Sequence, residues 1–186
     1  MATRKPVRSK AFKAGLAMRK KVLGADYVER SFKNADPFSR PFQEYATECA
    51  WGMVWTRPGL SLRDRSLITL AQVIALNRPA EIRVHLRGAI RNGISKKELS
   101  ELCLHSFLYC GGPASLDAFH IMKEALPALE AEYLAEKKKK RDRGAEAAAR
   151  RAAHEEEQRR KEVIMEGAPS IWLQNKDFTQ GVQFAL

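Results

Sequence analysis

Apolar residues recur at helical spacing along most of the first 136 residues, and polar residues mark where the predicted helices begin. Ser61, followed three residues later by Asp64, is typical of a capping box and predicts a helix that starts near Leu62. An apolar stripe follows at the spacing of one helix face. It consists of Leu62, Leu67, Leu70, Ala71, Ile74 and Ala75.

Two more helices are predicted directly after this one. Pro79 suits the first turn of a helix, where its missing N–H is not needed, and Gly93 suits the end of that helix. Ser95 and Glu98 form another capping box, which predicts a third helix. The run Gly-Gly-Pro then breaks the chain, and Pro113 can begin the next helix.

The flanking segments also have helical patterns. Upstream, apolar residues recur after a proline-containing loop at Phe42, Tyr45, Ala46, Cys49, Ala50 and Met53. Trp51 and Trp55 are four apart and either line a pocket or, as is more usual at this spacing, fill the core. Downstream, residues 114–136 predict a long helix that Pro127 should kink or divide. The predicted fold class is all-α, with about six or seven helices.

The charge pattern changes this picture at both ends of the chain. The net charge is +11, of which Met1–Leu23 supplies +8 and Lys137–Lys161 supplies +6, so subtracting these from +11 leaves −3 for the remainder. Residues 137–161 are rich in charge and alanine, which favours a mobile segment or a solvated helix over a packed one. Beyond them, apolar residues return, and we expect these to dock on the body or on a neighbouring subunit. They include Ile171, Trp172, Leu173 and Phe178.

Composition excludes several function classes. The three cysteines form no C-x-x-C motif and suggest a reducing compartment. No apolar run is long enough to span a membrane, so we expect a soluble, cytoplasmic protein. The basic tail interleaves acids and has no aromatic residue for base stacking, which argues against nucleic-acid binding. The histidines lack metal-ligand spacing, so no metal site is predicted; His120 is expected to be a structural or surface residue.

The second predicted helix carries the most informative charges. Glu81 and His85 are four residues apart and share a face, with arginines around them, including Arg87. A carboxylate beside an imidazole can set its tautomer or raise its pKa, which prepares a general acid near neutral pH. The alternative is an exposed ion-pair face, since such pairs are common on helices. The pattern alone leaves both interpretations open.

At these residues the chain strongly resembles the carboxymuconolactone decarboxylase family. The matching phrases are AWGMVWTRPGLSLRDRSLITLAQVIALNR, EIRVHLRGAIRNGISKKELSEL and LYCGGPASLDAFHIMKEAL, with an upstream match at AGLAMRKKVLGADYVERSF. The resemblance covers about residues 14–132 and is nearest to the group that acts on 4-carboxymuconolactone. In peroxidase-like relatives a Cys-x-x-Cys pair precedes a histidine; aligned on His85, that pair falls on Arg78 and Glu81. This chain therefore lacks the redox pair.

The resemblance and the change in composition at Lys137 together predict three segments, and the resemblance implies an assembly. These are a basic N-terminal extension (1–13), a decarboxylase-like domain (14–136) and a charged tail (137–186). A cleaved mitochondrial presequence is the alternative interpretation of the N-terminus, disfavoured because the resemblance begins near Ala14. Relatives form rings, so we expect a homo-oligomer, a trimer or a hexamer.

The implied reaction is cofactor-free decarboxylation of 4-carboxymuconolactone to the enol-lactone of 3-oxoadipate, in aromatic catabolism through protocatechuate. The resemblance makes His85 the proton donor or oxyanion stabiliser and Glu81 its acid/base partner. Arg65 and Arg87 are either anion-binding or structural ion-pair residues. His105 and Tyr109 are expected to complete the pocket, although many relatives have Gln at the first of these. The remaining candidates are backbone N–H groups at Gly111 and Gly112, which can bind a carboxylate at a helix start.

Three other functions fit the sequence less well. One is a related decarboxylase or lyase acting on another anionic ring in secondary metabolism, which motif matching does not separate from the catabolic enzyme. A peroxidase-like redox protein is disfavoured by the absent cysteine pair. A non-catalytic oligomeric scaffold would require a blocked pocket.

Overall fold

A computed structural model describes residues 8–166, and this part of the chain is helical with no strand. The predicted all-α class and helix number are confirmed. Seven α-helices and one π-helical segment are present in the described part. They are α1 (Lys10–Leu23), α2 (Ala25–Lys33), α3 (Arg40–Ala46), the π-helical segment (Thr47–Val54), α4 (Leu62–Ala75), α5 (Pro79–Arg91), α6 (Lys96–Cys110) and α7 (Gly112–Glu166).

The predicted helix starts are confirmed by their capping hydrogen bonds. The Ser61 hydroxyl accepts from the Asp64 N–H at 3.0 Å, at the start of α4. At the start of α6 the capping box is complete, because Ser95 accepts from the Glu98 N–H and the Glu98 carboxylate accepts from the Ser95 N–H. Each such cap stabilises a helix by about 1 kcal/mol. The prediction that Gly-Gly-Pro separates two helices also holds, since Gly111 has a φ of 87° between α6 and α7.

Two apolar clusters hold the helices together. The first joins α4, α5, α6 and the start of α7 through Leu70, Ile74, Ile82, Leu86, Ala89, Ile94, Leu99, Cys103, Ala118 and Met122. The second joins α1, α2 and the π-helical segment through Val22, Leu23, Val28, Trp51 and Trp55. The two tryptophan rings lie 4.7 Å apart and are buried, so they fill the core rather than line an open pocket.

The segment after the proline loop differs from a single α-helix. It begins as α3 and continues as the π-helical segment, which has more residues per turn. The wider turns place Trp51 and Trp55 in the core, whereas Phe42, Tyr45 and Met53 of the predicted apolar stripe are exposed. A face at regular α-helical spacing therefore did not predict which side chains are buried here.

The folded body begins before the boundary expected from the resemblance. The predicted limit between residues 13 and 14 lies inside α1, whose N-cap Ser9 accepts from the Phe12 N–H at 2.9 Å. Phe12 is buried, and Arg8 pairs with Glu44 at 2.7 Å. Burial of Phe12, the aromatic residue of this otherwise polar segment, accounts for the start of α1 before residue 14.

Contacts within the chain define two units with a boundary between Leu134 and Ala135. Helix α7 contains this boundary, and Pro127 does not divide the helix. In the second unit all side chains from residue 137 to residue 162 are exposed. Ion pairs four residues apart support this solvated helix, such as Glu146 with Arg150 at 2.7 Å. The expected docking residues Ile171, Trp172, Leu173 and Phe178 lie outside the described residues.

Deletion of residues 137–186 should leave the first unit folded. The exposed charged helix contributes little apolar burial, so its loss removes little stabilising free energy. We expect the melting temperature of the shortened chain to stay within a few degrees of the full chain, measured by circular dichroism. An unfolded shortened chain would place the domain boundary elsewhere.

Within the described residues, no helix is both long and apolar enough to cross a membrane.

Candidate active site

Helix α5 positions the two central candidate residues. Asn77 adopts a φ of 49° in the turn that ends α4, and Pro79 occupies the first turn of α5. Glu81 follows in the first turn, where a negative charge interacts favourably with the helix dipole. Its side chain is exposed, whereas His85, one turn later, is only partly exposed. The helix therefore pairs an acid open to solvent with an imidazole that is largely withdrawn from it.

The environment of His85 favours the neutral form of its imidazole. Burial lowers the pKa of His85 below its ordinary value, and the opposing effect of the Glu81 charge is smaller. A neighbouring carboxylate was expected either to set the tautomer of the imidazole or to raise its pKa. The pKa is not raised, because the effect of desolvation is larger than the effect of the Glu81 charge. The uncharged ring donates a hydrogen bond from one nitrogen and accepts one at the other, so it suits a hydrogen-bonding role.

The two candidate anion-binding arginines differ in their environment. Arg87 is 13% exposed and its Nη1 lies 2.6 Å from the Glu132 carboxylate, while its guanidinium stacks over the Tyr27 ring at 4.7 Å. The hydrogen bond from Arg87 is the main cause that lowers the pKa of Glu132. Arg30 lies 3.9 Å from the same carboxylate. Arg87 is thus engaged in an ion pair that fastens α7 to α5.

Arg65, in contrast, has no carboxylate partner among residues 8–162, whose side chains the structure describes. Its Nη2 donates to the Arg57 carbonyl at 2.9 Å, which holds the side chain against the turn before α4. Its Nε is buried and has no hydrogen-bond partner. The positive charge of Arg65 is therefore fixed in place and not neutralised by the described part of the chain. The sequence did not show which of the two arginines is paired, because Glu132, the partner of Arg87, is distant in sequence.

His105 and Tyr109 form a pair of tilted, neighbouring rings on the outer side of α6. Their ring centroids are 4.8 Å apart and both side chains are exposed. His105 borders an open cavity of about 470 Å³ between α4 and α6. Its other lining residues are Arg63, Leu67, Glu98, Glu101 and Leu102. No residue of α5 lines this cavity, so this pair and His85 do not meet there.

The Gly-Gly turn has a clear structural role. The Gly111 N–H donates to the Phe107 carbonyl at 3.2 Å, so it is already used in ending α6. At Gly112 a Cβ atom would lie 3.0 Å from the Phe107 ring, which is a tight contact. Any carboxylate bound at this helix start would use the N–H groups that follow Gly111.

The cysteines are not arranged for redox chemistry. All three are free, and burial raises the pKa of the Cys103 thiol, which disfavours the thiolate. The Cys103 sulfur lies 3.9 Å from the Met122 sulfur inside the first cluster. In the described part of the chain, no group of three His, Cys, Asp or Glu side chains is placed to hold a metal ion.

The helices that carry the candidate residues are also the part of the chain that is similar to known proteins. The sequence model of the carboxymuconolactone decarboxylase family matches residues 40–124, which include every candidate site residue. The chain is 43% identical over 125 residues to nitrosuccinic acid decarboxylase of Metarhizium robertsii, covering 67% of this chain and 87% of that protein. It is 47% identical over 118 residues to 4-carboxymuconolactone decarboxylase of Acinetobacter baylyi, covering 63% and 88%. Both similar proteins carry the names of decarboxylases, of different acids.

Proposed function

Because this chain belongs to the carboxymuconolactone decarboxylase family, we propose that it is a cofactor-independent decarboxylase that converts 4-carboxymuconolactone to 3-oxoadipate enol-lactone. The observation that carries the proposal is the 47% identity to 4-carboxymuconolactone decarboxylase, which spans 88% of that relative. The cellular role would be protocatechuate catabolism in the cytoplasm, by a trimer or hexamer of this chain. The oligomer is supported by the large apolar side chains exposed on the first unit.

The chemistry requires little beyond positioned polar groups. Loss of CO2 leaves an electron pair that moves through the ring double bond onto the lactone carbonyl, so the substrate supplies its own electron sink. The protein must hold the carboxylates, donate a hydrogen bond to the developing oxyanion and return a proton to the ring carbon.

Side chains of α4 and α5 can supply these three functions. We assign Arg65 to a substrate carboxylate, because its charge is held in place without a described carboxylate partner. We assign His85 to the developing oxyanion, because burial favours the uncharged imidazole, which can donate a hydrogen bond. Glu81 is exposed to solvent, and its charge acts on His85. The pair can therefore relay a proton from water to the ring carbon of the substrate. Arg87 supports the site through Glu132.

Nitrosuccinic acid is the second candidate substrate. The 43% identity to nitrosuccinic acid decarboxylase, over 87% of that relative, favours it. A nitro group accepts an electron pair as a lactone carbonyl does, so the same donors would serve. The two substrates differ in shape, since one is a ring and the other is open.

Measurement of CO2 release from both acids by the purified protein decides between them. Turnover of the lactone with little turnover of nitrosuccinate supports the first proposal, and the reverse preference supports the second. If neither acid loses CO2 faster than in buffer, both substrate assignments are wrong.

The proposed neutral role of His85 predicts the sign of the pH dependence. Because burial lowers the pKa of His85, the decline of kcat on acidification should be centred below about pH 6.5, the ordinary pKa of histidine, where the ring gains a proton. If a protonated His85 were required, kcat would rise on acidification through the same range. A pH–rate profile of the wild type, compared with His85→Gln, measures this.

A further inference from the structure

A polar side chain closes the open end of the helical hairpin formed by α4 and α5. At one end the two helices are joined by the short turn that contains Asn77. At the other end Asn92 caps the carboxyl end of α5 and reaches the first turn of α4. Its amide nitrogen lies 3.2 Å from the Leu62 carbonyl oxygen and 2.9 Å from the Ser66 hydroxyl oxygen. Asn92 therefore ties the end of α5 to the start of α4.

These contacts require a hydrogen-bond donor at position 92. A carbonyl oxygen can only accept, so the NH2 group of the Asn92 amide is the part that faces Leu62. The Ser66 hydroxyl accepts from the same NH2 group and itself donates to the Leu62 carbonyl at 3.0 Å. Ser66 is only 1% exposed, so little water reaches this group. Loss of the amide would leave a buried acceptor without its donor, which is costly in a folded protein.

Arg65 lies in the turn of α4 that Asn92 holds. Its position falls between Leu62 and Ser66, the two residues that accept from the amide. Within the described part of the chain, the Arg65 guanidinium has one hydrogen bond, which it donates to the Arg57 carbonyl. A shift of the first turn of α4 would therefore displace this cation, because that single bond does not hold it independently of its own backbone.

The contact also sets the level of Arg65 relative to His85 along the hairpin. The two helices are antiparallel, so a contact between positions 62 and 92 places position 65 about level with position 89 of α5. His85 is four residues before that level, which corresponds to about 6 Å along the helix axis. Arg65 and His85 are thus separated along the axis by a distance that one small dicarboxylic acid can bridge.

We propose that Asn92 is a positioning residue for decarboxylation. Its amide holds the first turn of α4, so that the Arg65 guanidinium stays at the level where it can bind a substrate carboxylate beside His85. Asn92 acts through Arg65 and is not itself assigned to the substrate. Its effect on turnover rests on the proposed function, whereas the restraint that it places on the first turn of α4 does not.

The split between KM and kcat tests this role. Asn92→Ala should raise KM about tenfold for the acid that the wild type decarboxylates and should change kcat less than about twofold, because a displaced Arg65 binds the carboxylate less tightly in the ground state and the transition state alike. A merely structural role would instead lower the fraction of active protein, and hence kcat, without a change in KM. Initial rates of CO2 release at several substrate concentrations measure both constants.

Asn34→Ala is the matched control. Asn34 also caps the carboxyl end of a helix, α2, but its side chain is exposed and makes no hydrogen bond with the described residues. Its replacement by alanine should leave both constants unchanged.

A double variant tests whether Asn92 acts through Arg65. In the Arg65→Gln background, Asn92→Ala should cause no further rise in KM, because the cation that it positions is already absent. Two kinetic outcomes would overturn the proposal. One is an unchanged KM in Asn92→Ala. The other is a rise in KM that is as large in the Arg65→Gln background as in the wild type.

Hydrogen exchange tests the restraint without any assay of turnover. By mass spectrometry of peptic fragments, the amides of residues 64–67 should exchange faster in Asn92→Ala than in the wild type, by more than any change in α6. Asn34→Ala should leave this turn unchanged. Equal exchange in Asn92→Ala and the wild type overturns the proposal for any substrate. If the exchange responds but the wild type decarboxylates neither acid, the proposed function and the role of Asn92 in turnover are overturned, and the restraint alone is supported.

Discussion

Replacement of His85 by alanine is expected to lower kcat for decarboxylation by about 10² or more, because a positioned hydrogen-bond donor or proton relay is typically worth that much. The loss should appear in kcat rather than KM, since the oxyanion develops only in the transition state. Glu81→Gln keeps the size of the side chain but removes its charge and its ability to relay a proton. We expect a similar loss for this variant.

The control for both variants is His120→Ala. His120 is exposed on α7 and has no role in the proposed site, so its replacement should leave kcat within about twofold of wild type. The rate of CO2 release at several substrate concentrations gives kcat and KM, and circular dichroism shows whether each variant is folded. Near-normal turnover by both His85→Ala and Glu81→Gln would show that the assignment to α5 is wrong.

Features of the fold that depend on neighbours in sequence could be predicted from the sequence. Ser61 and Ser95 accept hydrogen bonds from N–H groups three residues later, so the information for a helix start lies within one turn. Gly111 ends α6 for an equally local reason, the left-handed φ that glycine adopts easily. These local constraints are strong enough that tertiary packing did not override them.

Properties that depend on distant residues could not be predicted. The partner of Arg87 is Glu132, which is forty-five positions away and has no spacing relation to α5. The pKa of His85 is lowered because the surrounding helices exclude water from its ring. The spacing of Glu81 and His85 predicts only the smaller effect of the Glu81 charge, which raises the pKa. The π-helical segment before Trp55 likewise packs against α1, which is distant from it in sequence.

That packing gives the clearest case of a constraint hidden in the sequence. A Cβ atom at Gly15 would lie 2.1 Å from the Thr47 carbonyl oxygen and 2.7 Å from the Gly52 backbone nitrogen. Both are backbone atoms, so no side-chain rotation relieves the overlap. Thr47 is itself buried and its hydroxyl accepts from the Arg19 guanidinium at 2.9 Å. Glycine at position 15 therefore allows α1 and the π-helical segment to touch along their backbones.

Gly15→Ala should consequently be among the most destabilising single substitutions in the chain. Normal contact between such atoms needs about 3.5 Å, so the two helices must separate by more than 1 Å, which loosens the second apolar cluster and strains the bond to Arg19. Overpacking of this kind costs about 3 kcal/mol or more, which lowers the melting temperature by roughly 10 °C. Gly59→Ala is the matched control, because no atom lies within 4 Å of its Cβ position and its melting temperature should barely change. Equal melting temperatures for the two variants in parallel thermal scans would mean that the close backbone contact between α1 and the π-helical segment does not exist in solution.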